Sequence, residues 1–307
     1  MNLNAPFSRR IFLTRSAQGT AAISLTRHSL LAKNALQTFA VEASDVRGIA
    51  VDSMDQVFIA ADSNLLVYSL EGNPMQQSPA PAPLHAITIA PDGRVFTATR
   101  DQIFVLKPDS TLEAVGASLG DASQIADLVV SDAGDIYASD GALRLVWRLS
   151  ATGEVLGQIK PSEKGFAVPK AHFPITWQNG HLIVAEPGRH QVQRYTPEGQ
   201  LVSRWGSRSR TAEGFSGCCN PVSLTPLPDG TLATAERGLP RIKIFRSEGQ
   251  LKRLIAGPET FIDGARDGNR PQKDLESCGG GALSIAASSS GKIVVLDQTT
   301  REVLVLA

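Results

Sequence analysis

The 307 residues carry 30 Lys and Arg against 30 Asp and Glu, with 42% hydrophobic and 6% aromatic side chains. A formal net charge of zero excludes a general electrostatic grip on nucleic acid or anionic lipid, which needs clustered cations. Three cysteines are too few for a disulfide scaffold, and no apolar run beyond the N-terminus is long enough to span a bilayer.

In chain order, the first segment differs from the rest. Ser8-Arg9-Arg10-Ile11-Phe12-Leu13-Thr14 precedes a mildly apolar stretch from Ser16 to Leu25, followed by Arg27 and His28. It resembles the twin-arginine export signal: the paired arginines, the Phe two places on and the Leu after it match, while Thr14 stands where that signal usually has Lys. The resemblance implies targeting through Arg9 and Arg10, residues 1–33 as a signal or anchor, and a bacterial type of protein working in the periplasm or at the outer face of the membrane. No A-x-A cleavage site precedes Asn34, so removal and retention both stay open. Contact with a membrane is expected only through an uncleaved signal.

From residue 46 onward a repeat dominates. Val51 to Phe58, Ile89 to Phe96 and Val130 to Tyr137 each read as an apolar strand end, a turn rich in Asp and Gly, and a new strand at the same interval. The pattern returns at Trp177 to Leu182 with one residue fewer, at Pro226 to Leu232 and at Ala287 to Ile293. Gly supplies the positive φ that such hairpins need. Second strands such as Val57 to Ala61, Ile183 to Ala185 and Ile293 to Leu296 end near an acidic residue (Asp62, Asp140, Glu186, Glu236, Asp297), a third strand follows, and a further Gly (Gly72, Gly153, Gly199, Gly249) opens a fourth. Four antiparallel strands per unit of about forty residues is a propeller blade. The sixth copy lacks a fourth strand, and Leu36 to Val41 is strand-like and unassigned. An open ring would leave bare strand edges. The reading is therefore all-β: one six-bladed β-propeller over residues 34–307, closed by an N-terminal strand.

Pro187-Gly188-Arg189-His190-Gln191-Val192-Gln193-Arg194-Tyr195, with a fainter copy at Arg241 to Phe245, resembles the NHL repeat, and with the blade period the resemblance covers residues 46 to 307. The early blades depart from the consensus. The Cys-Cys-Asn-Pro loop together with Glu236 to Arg241 is similar to a subgroup of exported bacterial NHL-type proteins. His190 reads as a blade-turn histidine.

The inter-blade loops lengthen along the chain, at Pro161 to His172, Gly206 to Asn220 and Gly257 to Gly281, and long loops on a rigid scaffold tend to carry function. Cys218 and Cys219 lie in the second and Cys278 in the third. A disulfide from Cys278 to Cys218 or Cys219 ranks first, since export implies an oxidising compartment. The alternative is a thiolate-bound metal or redox centre using Cys218, Cys219, Cys278 and His172. It ranks lower because adjacent cysteines fit poorly on one tetrahedral ion. A strained Cys218 to Cys219 bond and three inert thiols remain further options. Glu186, Arg189, Glu236, Arg237 and Arg241 form a candidate binding face; against it stands the reading that the acids bond nearby backbone and the arginines pair with them. Asp263 to Asn269 fails the spacing of a calcium loop.

Register places Arg47, His85, Ala126, Phe173, Val222 and Leu283 at equivalent points at the channel mouth, with Gly48, Ala86, Asp127, Pro174, Ser223 and Ser284 one place along. This set is too apolar to ligate a divalent ion as some propeller lactonases and lyases do. No G-x-S-x-G, H-E-x-x-H or phosphate loop occurs. A hydrolase or lyase thus ranks last, and the enzyme question leans to no. Neutral charge and few aromatics oppose RNA binding. The expectation is an exported binding scaffold that takes a protein partner or small ligand on the long-loop face.

Overall fold

The computed structural model describes residues 35–168, 172–261 and 282–307. Strand β1, Ala35–Ala40, comes first, and the rest form six blades written from the central axis outward. Blade 1 is β2 Val46–Val51, β3 Val57–Ala61, β4 Asn64–Tyr68 and β5 Pro74–Pro79. Blade 2 is β6 Ala86–Ile89, β7 Val95–Ala98, β8 Ile103–Leu106 and β9 Leu112–Val115. Blade 3 is β10 Ile125–Val130, β11 Ile136–Asp140, β12 Leu145–Leu149 and β13 Val155–Ile159. Blade 4 is β14 Ile175–Gln178, β15 His181–Glu186, β16 Gln191–Tyr195 and β17 Leu201–Trp205. Blade 5 is β18 Ser223–Pro226, β19 Leu232–Glu236, β20 Arg241–Phe245 and β21 Leu251–Ala256. Blade 6 is β22 Leu283–Ala287, β23 Ile293–Asp297 and β24 Glu302–Leu306, with β1 as its outer strand. The ring therefore closes as the open sixth repeat requires, with Thr38 opposite Leu304 and Phe39 opposite Val303.

The turns explain the repeat. Gly93 (φ 86°), Gly134 (φ 90°), Gly230 (φ 80°) and Gly291 (φ 82°) hold the left-handed position of the first hairpin. The hairpin that is one residue short uses Asn179 (φ 52°) and Gly180 (φ 74°), the two-residue turn with both central φ positive. Second strands such as β3, β11, β19 and β23 are buried along their whole length, because blades stack face to face and cover both sides. That is why Val-Phe-Ile-Ala-Ala and Ile-Val-Val-Leu-Asp read as continuous apolar runs rather than alternating ones. Outer strands face water, and β17 is largely exposed.

The core is divided among six clusters, one between each pair of neighbouring blades. A recurring contact seals these seams. The glycine between third and fourth strands rests on the outer strand of the blade before it: a Cβ on Gly72 would lie 2.6 Å from the Cβ of Phe39, and one on Gly249 would lie 2.4 Å from Cγ of Trp205. Gly249→Ala therefore combines a strained φ of 84° with overpacking, and is expected to cost roughly 2–4 kcal/mol in chemical denaturation. Gly93→Ala, where a Cβ meets nothing within 4 Å, is expected to cost only the backbone part, about 1 kcal/mol. Equal losses in the two variants would refute a packing role for Gly249.

Candidate functional site: the loop face and the channel mouth

Inter-blade loops and the loops between second and third strands share one face, and carboxylates at the ends of the second strands of blades 1, 3, 4 and 5 organise it. Asp62 accepts from Ser44 N (3.0 Å), Ser44 Oγ (2.8 Å) and Asp45 N (2.9 Å). Asp140 accepts from Ser123 Oγ, and from Gln124 N at 3.1 Å. Glu186 accepts from Ala167 N at 2.8 Å, Gln193 Nε2 at 2.6 Å and Arg189 Nε at 3.1 Å. Each acid thus pins the loop that enters its own blade, in addition to any bonds in the turn that follows it.

Blade 5 carries the heaviest version. Glu236 is fully buried; its Oε2 accepts from Ser216 N (2.7 Å) and Arg241 Nη2 (2.7 Å), and its Oε1 from Lys243 Nζ (2.6 Å) and Arg241 Nε (3.1 Å). Lys243 is itself fully buried, donates to the carbonyls of Ala212 (3.1 Å) and Gly214 (2.6 Å), and lies over the rings of Phe215 and Phe245 at 4.6 and 5.1 Å. Burial draws its pKa down to about 8 against the pull of Glu236. Arg241 adds bonds to the carbonyls of Arg210, Thr211 and Gly214. Together they hold the whole loop from 206 to 220 against the blade, with Phe215 buried between Trp205 and Phe245. Arg189 is the exposed member of the predicted face, at 59%. Arg237 is buried, and its Nε and Nη2 have no partner among the described residues.

His190 turns the left-handed corner after Pro187–Arg189 (φ 57°), and its Nε2 lies 3.0 Å from the carbonyl oxygen of Gly217. It thereby ties the blade 4 turn to the cysteine loop. Cys219 is buried and free, Cys218 is disulfide-bonded, and the two Sγ atoms are 3.4 Å apart. Cys278 lies outside the described residues, as do Asp263 to Asn269, Arg9 and Arg10. Asn220 closes the loop, donating to the carbonyls of Ser216 (2.6 Å) and Arg237 (3.0 Å) and accepting from Arg237 N (2.9 Å). Among the described residues no group of three or more His, Cys, Asp or Glu is placed to hold a metal ion.

The axis of the ring is an open channel of about 510 Å³. Its mouth on the loop face is lined by Arg47, His85, Asp127, His172, Ser223, Ser284 and Gln298, and its walls by apolar residues including Ile49, Ile87, Leu128 and Ile285. Several of these polar groups bond across blade seams: Asp127 Oδ2 accepts from Ile175 N (3.0 Å), Ser223 Oγ from Ile285 N (3.1 Å), and Gln298 Nε2 donates to Arg47 O (2.7 Å). Arg47, His85, Asp127, Ser223 and Ser284 stand at the mouth where their register in the repeat puts them. Register does not point to Gln298, which enters from a loop between second and third strands, directly after the acidic Asp297. His172, grouped above with the cysteines as a candidate ligand, lines the channel, whereas neither Cys218 nor Cys219 does.

Desolvation pushes the Asp127 carboxyl up to about 7, although the N–H groups of Ile175 and Leu128 pull the other way. Burial, and then the charge of Arg47, lower His85, favouring the neutral imidazole. The mouth thus presents a carboxyl divided between acid and carboxylate near neutrality, the property a proton-transfer group requires.

No protein-family model matches the chain, and no curated protein does. Solved structures do resemble it. A catalytically inactive virginiamycin B lyase from Staphylococcus aureus, determined with quinupristin, aligns with TM-score 0.59 at 14% identity, covering 88% of this chain and 83% of the other. The selenomethionine form of that lyase aligns with TM-score 0.57 at 17% identity over 87% and 86%. A protein of unknown function from Bacteroides thetaiotaomicron aligns with TM-score 0.63 at 14% identity over 90% and 74%. At these identities the likeness establishes the propeller fold alone.

Proposed function

We propose that the protein is an exported, NHL-type binding propeller of the cell envelope, with its ligand or the tip of a protein partner seated at the channel mouth on the loop face. The observation that carries this reading is the mouth itself: polar side chains from several blades surround one open space above apolar walls, the usual build of a ligand site. Beside the mouth, Glu236, Arg241 and Lys243 hold the loop from 206 to 220 against blade 5. The Ser8 to Thr14 segment supports export.

A ligand at a hundred times its Kd stabilises a protein by about 2.7 kcal/mol, which for a domain of this size raises the Tm by roughly 5–10 °C. A thermal-shift screen of polar and amphipathic compounds, repeated on Asp127→Asn and His85→Ala, is the test. Stabilisation of the parent protein that both variants lose is expected; hits that all three proteins share equally would remove the channel from consideration. Export is tested separately with Arg9 and Arg10 both changed to Lys, which is expected to leave the protein in the cytoplasm.

A second reading, a lyase, rests on Asp127. Its raised pKa makes a pH signature: the native state holds this proton more tightly than the unfolded chain, so its contribution to stability is full below the ordinary value of 3.8 and is lost as pH rises through 7. Asp127→Asn should flatten stability against pH between about 4 and 7. Consumption of quinupristin that follows the same titration and disappears in Asp127→Asn would favour the lyase; no consumption leaves the binding role.

A further inference from the structure

Among the charged residues singled out for the loop face, Glu186 and Glu236 accept from the loops, Arg241 pairs with Glu236, and Arg189 lies exposed beside Glu186. Arg237 has no such task. It is only 7% exposed, and its Nε and Nη2 make no hydrogen bond to any described residue. Those two nitrogens are the side-on pair of a guanidinium, whose parallel N–H groups match the two oxygens of one carboxylate. Arg241, at the start of the next strand, uses the same pair on Glu236, with Nε 3.1 Å from Oε1 and Nη2 2.7 Å from Oε2. Glu236 itself is fully engaged, since its oxygens also accept from Ser216 N and Lys243 Nζ.

Charge points the same way. Arg237, Arg241 and Lys243 are buried cations at this end of blade 5, and among the described residues there Glu236 is the buried carboxylate that faces them. Glu213, whose charge also acts on Lys243, is exposed. A buried charge without a partner is costly, and a buried donor left unbonded calls for an acceptor. The backbone at Arg237 is clamped: its N–H donates to Asn220 Oδ1 at 2.9 Å and its carbonyl accepts from Asn220 Nδ2 at 3.0 Å. The root of the side chain is thus fixed before anything binds. We infer that Arg237 is a carboxylate-binding residue, taking the two oxygens of one carboxylate on Nε and Nη2 at the loop end of blade 5. With so little of the residue exposed, the carboxylate has to arrive on a slim end, as a small acid or as the acidic side chain of a partner. The site is separate from the channel, whose lining does not include Arg237, so the inference stands whether or not the channel holds a ligand.

The test is a titration of the full chain with sodium acetate replacing sodium chloride at constant ionic strength, followed by the arginine Nε–H signals in nitrogen-15 spectra and by the thermal midpoint. Arg237 is the one arginine with a buried, unbonded Nε among the described residues, so its signal, assigned through the side-chain carbons, should move saturably while the others stay. The midpoint should rise over the same range. Arg237→Lys keeps a cation but loses the fork, and is expected to weaken the acetate response of the midpoint roughly tenfold or more. Blocked glutamate, with blocked glutamine as control, distinguishes the sources: saturation at lower concentration than acetate marks a partner's side chain, and a response to acetate alone marks a small acid. An Arg237 Nε–H signal that neither carboxylate moves would overturn the inference, and this is read on the parent protein even if Arg237→Lys fails to fold. An equal midpoint response in Arg237→Lys would overturn it as well.

Discussion

Glu236→Ala is expected to destabilise the protein by about 3–5 kcal/mol, the usual cost of removing one partner from a buried ionic cluster. The substitution leaves Lys243, fully buried, with two carbonyl oxygens and two aromatic faces but without its ion-pair partner. It also removes the acceptor of Ser216 N and both bonds from Arg241, so the loop from 206 to 220 loses its anchor along with the charge balance. Chemical denaturation gives the loss, and hydrogen exchange locates it: the Ser216 and Arg237 amides should lose protection well before those of blades 1 to 3. The pH dependence has a defined sign. Lys243 in the intact protein sits near 8 rather than 10.5, so the native state binds fewer protons than the unfolded chain between those values, and stability rises with pH across that window. Without Glu236 the rise should begin at lower pH. Arg189→Ala, which removes an exposed partner of Glu186, should cost no more than about 1 kcal/mol. Similar losses in the two variants would mean that the blade 5 cluster is no more than a surface ion pair in its effect.

How much of this was legible in the sequence follows from which features are local. Hairpin turns are local: Asp92-Gly93 and Asn179-Gly180 announce their positive φ by residue type, and six copies of the strand–turn–strand pattern imply the ring. The carboxylates that end the second strands were visible as a repeat, but their bonds to the preceding loops were not, because those loops differ in length and composition from blade to blade. Lys243 shows the limit more sharply. In Arg241-Ile242-Lys243-Ile244-Phe245 the alternation places Lys243 and Arg241 on a solvent face, yet blade stacking covers that face and the cations are spent inside. Asp127 was in the right register position, but a pKa near 7 comes from the surrounding walls of six strands. His172 reached the channel through a loop whose path no local pattern encodes.

Deletion of the chain through Ala40, which removes β1, is expected to have the largest effect of all. Strand β1 covers the outer edge of β24, through Thr38, Phe39 and Ala40 opposite Leu304, Val303 and Glu302. It also carries Phe39, packed on Tyr68 at 5.3 Å between centroids and facing Gly72 across the seam with blade 1. Phe39→Ala alone should cost about 3–5 kcal/mol as a core truncation. The deletion adds the lost ladder bonds and bares an apolar edge from Val303 to Leu306, an exposed template for pairing with another chain. Light scattering should therefore find concentration-dependent association in the truncated protein, and thermal denaturation a loss exceeding that of Phe39→Ala. A synthetic peptide covering residues 35–41 should restore the monomer, because the groove between β24 and blade 1 is shaped by strands that remain. A truncated chain that stays monomeric with an unchanged Tm would mean that blade 6 is stable with three strands and that the ring does not depend on its N-terminal clasp.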